Sequence, residues 1–558
     1  MSRANEVFFM PLGGVGEIGM NLALYATGEG ADRRYIMIDC GISFAGPDLP
    51  GIDIVTADIQ FIADRRDKLD GIIITHAHED HIGGLLYLWD ELRAPVFLSE
   101  FAEALLRAKK GSDPVLERVP FRRFHPMKAF TVGRFDVTPI PVSHSIPESH
   151  SLLLEAAGRR LVHTGDWKLD AEPVLGEATS LKAFQALADL GPIDAVVSDS
   201  TNAMREGESP TEKEVGRALA NVIANAQQRV FVTLFSSNVA RIKSVLDAAR
   251  EAGRTVVLAG RALDRVVSVG EDLGLLTNLP SLADMRSFDR LARQDVLVLL
   301  TGSQGESRAA LSRVSEHDHP HLSVTKGDTV VFSSRIIPGN ERAVLRVMNN
   351  LAASGVELIT DSEAPIHVSG HPRRPELLKL YEALKPRTVV PVHGEPRHLK
   401  AHAQLAREAG YGAVLMMNGD MLSLGPKEDE IVDGIEPAIF VQDGDLLLAP
   451  AESGVFERRS LADRGVVTVA FALLNGKLVS DIEVIVDGLP DSLDGDDAET
   501  FVLSAVSRSL RALPMPRRRD IDAVADSIRK SVRNAVGDVW GKRPIAHIHA
   551  IEIDRSTS

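Results

Sequence analysis

Four metal-ligating side chains fall within six residues of the segment THAHEDHIGG: His76, His78, Asp80 and His81. Imidazoles and a carboxylate at that spacing suit zinc, with manganese as the harder alternative. One zinc takes three or four ligands, so four clustered donors plus others further along the chain imply two metal ions. The plain alternative is a polar turn rich in histidine, against which stands the density of three histidines and two acids in six residues. Cys40 is the only cysteine, which excludes a cysteine-rich zinc site and an intrachain disulfide framework and suits a reducing cytoplasm.

The cluster directly follows GIIIT, an apolar run that reads as a buried strand, so these side chains occupy the tight loop at a strand end. Residues 7–170 read as short strands separated by turns (VFFMPL, NLALYA, RRYIMID, GIIIT, PVFLS, FDVTPIPV, SLLLEA, RLVHTGD), with helical stretches at 83–92 and 101–110. From about residue 208 a helix–strand alternation predicts a parallel sheet flanked by helices. The first style returns near 357–425 with ELIT, RTVVPVHG and AVLMMNGD. The acidic stretch from Lys427 to Glu436 reads as the start of a linker. A small unit from about residue 460 follows, with two strands, two helices and the strand IAHIHAIEI.

At 558 residues, 44% hydrophobic and 25% charged, the chain is globular and too long for a single core. No run of about 18 apolar residues is present, so no membrane span is expected. The segment Met1 to Met10 carries no apolar signal core and no cleavage site. A net charge of −16 rules out a surface coated in basic residues, but a local basic groove can still hold nucleic acid. Gly14, Gly16 and Gly19 spell the dinucleotide-binding pattern G-x-G-x-x-G, with Asp39 about twenty residues on. That fingerprint needs a helix after the glycines. MNLALYAT alternates with period two instead, so the glycines read as a turn between strands.

The arrangement H-x-H-x-D-H resembles the signature of the metallo-β-lactamase superfamily. The resemblance implies further ligands: His144 in PVSHSIPES, the bridging Asp166 in HTGDWKLD, and His393 in VVPVHGEP. It assigns Asp39 in IMIDCG a supporting role. It groups His76, His78, His144 and Asp166 on one metal, and Asp80, His81, Asp166 and His393 on the other. The long gap between Asp166 and His393 is similar to that of the β-CASP nucleases, in which an α/β domain interrupts the metallo-β-lactamase domain. Asp199 in SDSTN and His371 in HVSGH match the β-CASP markers. LGGVGEIGMN, TGSQGE, SSRIIPGNE, HVSGH and PVHGE resemble blocks of the ribonuclease J family. The expected fold class is therefore α/β, an αββα metallo-β-lactamase sandwich with an inserted β-CASP domain and a small α+β C-terminal domain. The expected boundaries are 1–207 and 357–425 for the two parts of the first domain, 208–356 for the insertion, 426–459 for a linker and 460–558 for the last domain.

Phosphodiester hydrolysis needs a strong nucleophile and neutralisation of a phosphate gaining charge, and two metal ions supply both. Asp199 and His371 are the candidates for proton transfer to the leaving 3′-oxygen. HVSGH reads as a phosphate cradle: Ser369, the backbone at Gly370 and the imidazoles of His367 and His371 offer donors around Val368. By resemblance its partner on the insertion is FSSN, with Ser236, Ser237 and Asn238. The plain alternative for FSSN is a capped strand-to-helix turn. Arg373, Arg374, Arg397 and Lys400 make either a local positive field or solvated surface charge.

These expectations describe a cytoplasmic ribonuclease with two Zn2+ (Mn2+ as alternative) and single-stranded RNA as substrate. It degrades 5′-monophosphate RNA in the 5′-to-3′ direction, with endonuclease activity beside it, in RNA maturation and decay. The resemblance implies a homodimer or homotetramer through the C-terminal domain, and helicase or degradation-complex partners. There Arg517–Arg519 and Trp540 read as part of a dimerisation module, with RNA binding by the basic triplet as the alternative. Two rival functions stand beside this one. A small-ester hydrolase on the same core leaves Asp199, His371 and the insertion without a task. An inactive β-CASP scaffold would have lost metal ligands, and this chain keeps the whole set.

Overall fold

The computed structural model describes residues 6–553 except Pro338 and Lys427. Thus Met1–Asn5, Pro338 of the SSRIIPGNE block, Lys427 of the acidic stretch and the last five residues lie outside the described residues. The chain divides into two compact units, one formed by residues 1–43 and 56–438, the other by 44–55 and 439–558.

The larger unit is built on two facing sheets. The first has eight strands, in the order Asp429–Gly434, Asp420–Leu424, Val7–Gly13, Leu22–Thr27, Arg34–Ile38, Leu69–Ile73, Val96–Leu98 and Phe121–Arg123. The second has seven, in the order Gly412–Ala413, Thr388–Val392, Ala195–Asp199, Arg159–His163, His150–Ala156, Phe135–Pro141 and Phe130–Val132. Phe9, Tyr25, Ile36 and Ile38 of the first sheet pack on Leu152, Leu154, Leu161 and Val197 of the second, which makes the core between them. The outer face of the second sheet is covered by helices Leu181–Asp189, Arg374–Leu384 and Pro396–Glu408 through Phe184, Leu377, Tyr381 and Leu405. Because strands such as Val7–Gly13 are buried on both faces, they read as near-continuous apolar runs rather than alternating ones.

Leu22–Thr27 is a strand paired antiparallel to Val7–Gly13, and Gly14, Gly16 and Gly19 all have positive φ in the turn between them. No helix opens after the glycines, so they do not form a dinucleotide site.

The insertion leaves the second sheet after Asp199 and returns to it at Thr388, on the strand that pairs in parallel with Ala195–Asp199. Two neighbouring parallel strands thus end at the same edge, where open α/β sheets place their sites. Asp199 and His393 become neighbours although 193 residues separate them (393 minus 199, less one). The insertion is an all-parallel sheet in the order Leu282–Ala283, Thr255–Ala259, Val296–Leu300, Val230–Thr233, Thr329–Phe332 and Glu357–Ile359. Helices such as Glu212–Asn225, Val239–Glu251 and Glu341–Ala353 alternate with its strands.

Two sequence boundaries shift. ELIT belongs to the inserted sheet, since Glu357–Ile359 pairs with Thr329–Phe332. The acidic stretch is not simply a linker: Asp429–Gly434 pairs with Asp420–Leu424 at the edge of the eight-stranded sheet. Its charges mislead because an edge strand tolerates them, and Asp429 forms an ion pair with Arg387 at 2.9 Å.

In the smaller unit, strand Val466–Leu474 pairs with Glu483–Asp487 and, in parallel, with Ile545–Glu552. Helices Ala498–Ala512 and Ile521–Trp540 cover one face of that sheet through Phe501, Val502, Ile528 and Val532. Trp540 packs partly into this core, and Arg518 donates to the carbonyls of Leu513 and Arg511. No helix among the described residues is long and apolar enough to cross a membrane.

Candidate metal centre and phosphate cradle

The loop after strand Leu69–Ile73 delivers His76, His78, Asp80 and His81 to the edge where Asp166, Asp199 and His393 arrive from the second sheet. His144 joins them from the loop after Phe135–Pro141. Two sets of ligand atoms each converge within 4.8 Å: His76, His78, His144 and Asp166, then Asp80, His81, Asp166 and His393. These are the two groupings that the sequence resemblance implied. Asp166 is shared, with Oδ2 at 3.7 Å from His76 Nε2, 3.6 Å from His144 Nε2, 3.3 Å from His81 Nε2 and 3.7 Å from His393 Nε2.

The nitrogens that face away from this centre are held in place. His81 Nδ1 lies 2.7 Å from Asp39 Oδ2, and Asp39 also accepts from the Thr75 amide at 2.7 Å. His76 Nδ1 meets Thr75 Oγ1 at 2.9 Å, His144 Nδ1 donates to Gly370 O at 2.7 Å, and His393 Nδ1 meets Thr201 Oγ1 at 2.8 Å. Anchoring of the outer imidazole nitrogen by a carboxylate, hydroxyl or carbonyl is how metal-binding histidines are oriented. Asp39 and His393 hold left-handed φ values of 62° and 53°, a local cost of about 1–3 kcal/mol each that the surrounding bonds sustain.

These residues fit a divalent metal pair on their own chemistry. Burial pushes His78 down to about 4 and holds His76 and His144 well below the usual imidazole range, which leaves neutral rings with lone pairs. Burial opposes charge on Asp166 too, yet His393 and His81 hold its carboxyl far below the usual range. Asp166 Oδ1 is buried without a hydrogen-bond partner among the described residues, and an orphaned carboxylate oxygen amid histidines calls for a cation.

Asp199 and His371 meet beside this centre. Asp199 Oδ2 lies 2.7 Å from His371 Nδ1, while its Oδ1 accepts from the Thr201 amide at 2.8 Å and from Thr201 Oγ1 at 2.7 Å. Both carboxylate oxygens are engaged, whereas His371 Nε2 has no hydrogen-bond partner among the described residues. In the neighbouring segment Ser369 Oγ accepts from Asn202 Nδ2 at 2.9 Å, Val368 is buried, and His367 Nδ1 is buried without a hydrogen-bond partner among the described residues.

FSSN approaches the same segment through Arg241. Asn238 accepts from the Arg241 amide at 2.9 Å and caps helix Val239–Glu251, so the capped-turn alternative describes Asn238. Ser236 and Ser237 stay half-buried. The Arg241 side chain is fully buried and bonds the Glu212 carboxylate, Ser333 Oγ at 2.7 Å and the Ile366 carbonyl at 3.0 Å. Lys168 and Asp170, from the HTGDWKLD loop, pair at 2.8 Å next to Glu212. Sequence reading passed over this network, because Arg241 is one helical arginine among many and nothing marks it as buried. Thr201 and Asn202 lay in the quoted SDSTN block without a task. Arg374 pairs with Glu206 and Arg397 with Glu395, which places both among solvated surface charges.

Comparison with known proteins agrees with this architecture. Residues 34–231 match a model described as beta-lactamase superfamily domain, and residues 227–351 one described as ribonuclease J, beta-CASP domain. Residues 364–416 match a Zn-dependent metallo-hydrolase RNA specificity domain, and 454–553 a ribonuclease J C-terminal domain. The chain is 43% identical to ribonuclease J of Sinorhizobium meliloti, over 99% of this chain and 98% of the relative. It is 34% identical to ribonuclease J of Mycolicibacterium smegmatis, over 97% and 96% of the two chains. A solved structure of a protein of unknown function from Enterococcus faecalis shares the fold, with a TM-score of 0.52 at 15% identity, and covers 75% of this chain and all of that one. By identity along nearly its whole length and by all four domain matches, the chain belongs to the ribonuclease J family, metal-site ribonucleases of the metallo-β-lactamase and β-CASP type.

Proposed function

We propose that this ribonuclease hydrolyses RNA with two metal ions held by His76, His78, Asp80, His81, His144, Asp166 and His393. The observation that carries this is the shared Asp166, whose Oδ2 is ringed by four histidine nitrogens and whose Oδ1 has no hydrogen-bond partner among the described residues. A bound zinc or manganese pair supplies Lewis acidity, which acidifies water and neutralises phosphate charge. Asp39, Thr75, Gly370 O and Thr201 fix the rings so that these donors stay aimed at one point. Asp199 orients His371 through Nδ1, and His371 delivers a proton from Nε2 to the departing 3′-oxygen. Engagement of both Asp199 oxygens by Thr201 and His371 favours the imidazole as the donor and the carboxylate as its anchor.

The cradle of His367–His371, with Ser236 and Ser237 as the partners the family resemblance implies, takes a 5′-terminal monophosphate. The enzyme then works from the 5′ end in steps of one nucleotide, with internal cleavage as a second mode, in cytoplasmic RNA maturation and decay. The C-terminal unit assembles the chain into a homodimer or homotetramer, and helicase or degradation-complex proteins are its partners.

The test is degradation of one RNA sequence carrying a 5′-monophosphate, a 5′-triphosphate or a 5′-hydroxyl, with Ser369→Ala compared. Preference for the monophosphate that the substitution removes supports the cradle. Equal rates on all three ends in the unaltered enzyme refute it.

A further inference from the structure

Three arginines gather beside the cradle without the carboxylates that arginines usually take. Arg205 and Arg373 are brought together by the backbone: Asn202 bridges to Arg373, and the Arg374 amide donates to the Arg205 carbonyl at 3.1 Å. Arg335 comes to the cradle from the end of strand Thr329–Phe332, two residues after Ser333, whose Oγ donates to the Ile366 carbonyl at 2.7 Å next to His367. Arg335 is half-buried. Burial lowers its guanidinium, and the positive charge of Arg205 and, to a lesser degree, Arg373 adds to that, with Asp361 opposing. Among the described residues neither Arg205 nor Arg335 has a carboxylate within ion-pair distance. Arg373 uses one nitrogen on the Glu208 carbonyl.

Of the acids nearby, Glu206 pairs with Arg374 and Glu208 with Lys379, while Asp361 acts on Arg335 from beyond ion-pair distance. Positive charges grouped on neighbouring segments repel one another unless an anion lies between them. Guanidinium forks match the oxygens of a phosphate. An independent observation points the same way. His367 Nδ1 is buried with no hydrogen-bond partner among the described residues, and Arg241 and then Arg335 are the positive charges acting most on that ring. The chain of Asn202 that leads to Arg205 also anchors Ser369.

We propose that Arg205, Arg335 and Arg373 form a second anion subsite, adjoining His367–His371, that binds a further phosphate group of the RNA. This rests on the cradle described above. The group is either a phosphodiester along the chain or an outer phosphate of a polyphosphorylated 5′ end. In both cases the arginines determine which RNA is held and leave the hydrolytic step untouched.

The experiment uses the full-length, metal-loaded enzyme with Arg335→Gln and with the double variant Arg205→Gln/Arg335→Gln. KM and kcat are measured on RNAs of one sequence with 5′-hydroxyl, 5′-monophosphate and 5′-triphosphate ends, at several salt concentrations. Binding of the same RNAs is followed by fluorescence anisotropy. A roughly tenfold rise in KM and Kd per arginine, with kcat unchanged, is expected. The dependence of log Kd on log salt should become shallower by about 0.7 per lost contact. An effect on all three ends identifies a chain phosphodiester, and an effect on the triphosphate alone identifies an outer phosphate. Recovery in Arg335→Lys supports a charge contact over a packing role. Unchanged KM, Kd and salt slope on every end, from variants with unaltered thermal unfolding, overturn the subsite. Failure of the 5′-monophosphate reading would show in the unaltered enzyme as equal rates on the three ends, and leaves the arginine effect on Kd measurable.

Discussion

Gly370 offers the sharpest test of how the cradle and the metal centre are joined. A Cβ built there would lie 2.5 Å from His144 Cε1 and 2.6 Å from Nδ1, with Ser145 Oγ at 3.1 Å. Gly370 is not among the glycines with positive φ, so alanine meets no backbone strain and the substitution is purely steric. Ordinary van der Waals contact begins near 3.4 Å, so the ring or the segment must retreat by roughly 1 Å. The hydrogen bond from His144 Nδ1 to Gly370 O, 2.7 Å long, is lost or bent in either case. A misplacement of about 1 Å at a reacting centre costs on the order of 100-fold in rate, or about 2.7 kcal/mol. The folded state suffers less: overpacking of about 1–3 kcal/mol is offset by about 0.4–1 kcal/mol from a stiffer unfolded chain. Gly370→Ala should therefore show a urea midpoint lowered by a net cost of about 0–2.6 kcal/mol, a roughly 100-fold lower initial rate on single-stranded RNA, and reduced metal occupancy by mass spectrometry. Full activity with full metal occupancy would show that His144 does not depend on this segment, and would refute the coupling.

Other consequences are as definite. Asp199→Asn and His371→Ala should each lower kcat by about 100- to 10,000-fold while metal content stays normal; loss of metal in either would place them among the ligands. Arg241→Met leaves the buried Glu212 carboxylate with only the Lys168 ammonium, at 3.9 Å, as a charge partner, which should cost about 3–5 kcal/mol by urea unfolding. Arg241→Met/Glu212→Leu should regain part of that loss, and no recovery would count against the buried ion pair as its source. Burial holds His150, His163 and His402 near 4, below the value of about 6.5 in an unfolded chain. The unfolded chain then binds more protons between those values, so stability is complete above about pH 6.5 and falls as pH drops toward 4. The full effect is on the order of 3 kcal/mol per histidine. A urea midpoint that holds level or rises from pH 7 to 5 would contradict this.

The metal cluster was legible in the sequence because its spacing is local: His76 to His81 lie on one loop, and their density has no bland explanation. His144 and His393 were not legible by themselves, since each is a lone histidine in a loop and only the order of family motifs selects it. The parallel pairing of Thr388–Val392 with Ala195–Asp199 is what brings His393 home, and no local pattern encodes it. The all-parallel inserted sheet followed from the helix–strand alternation, whereas its last strand, Glu357–Ile359, is too short and too exposed to announce its sheet. Asp429–Gly434 was hidden by its charges, which an edge strand tolerates. The Arg241–Glu212 pair and the Arg205–Arg335–Arg373 group depend on burial and on contacts across the insertion, which composition does not carry.

The most direct test of the central claim is product analysis on a short single-stranded RNA with a 5′-monophosphate and a 3′ label, with Mn2+ or Zn2+, beside His76→Ala. The account predicts metal-dependent release of mononucleotides that disappears in the variant. Intact RNA under every condition, from a chain shown to hold two metal ions, would contradict it and return the site to a smaller ester.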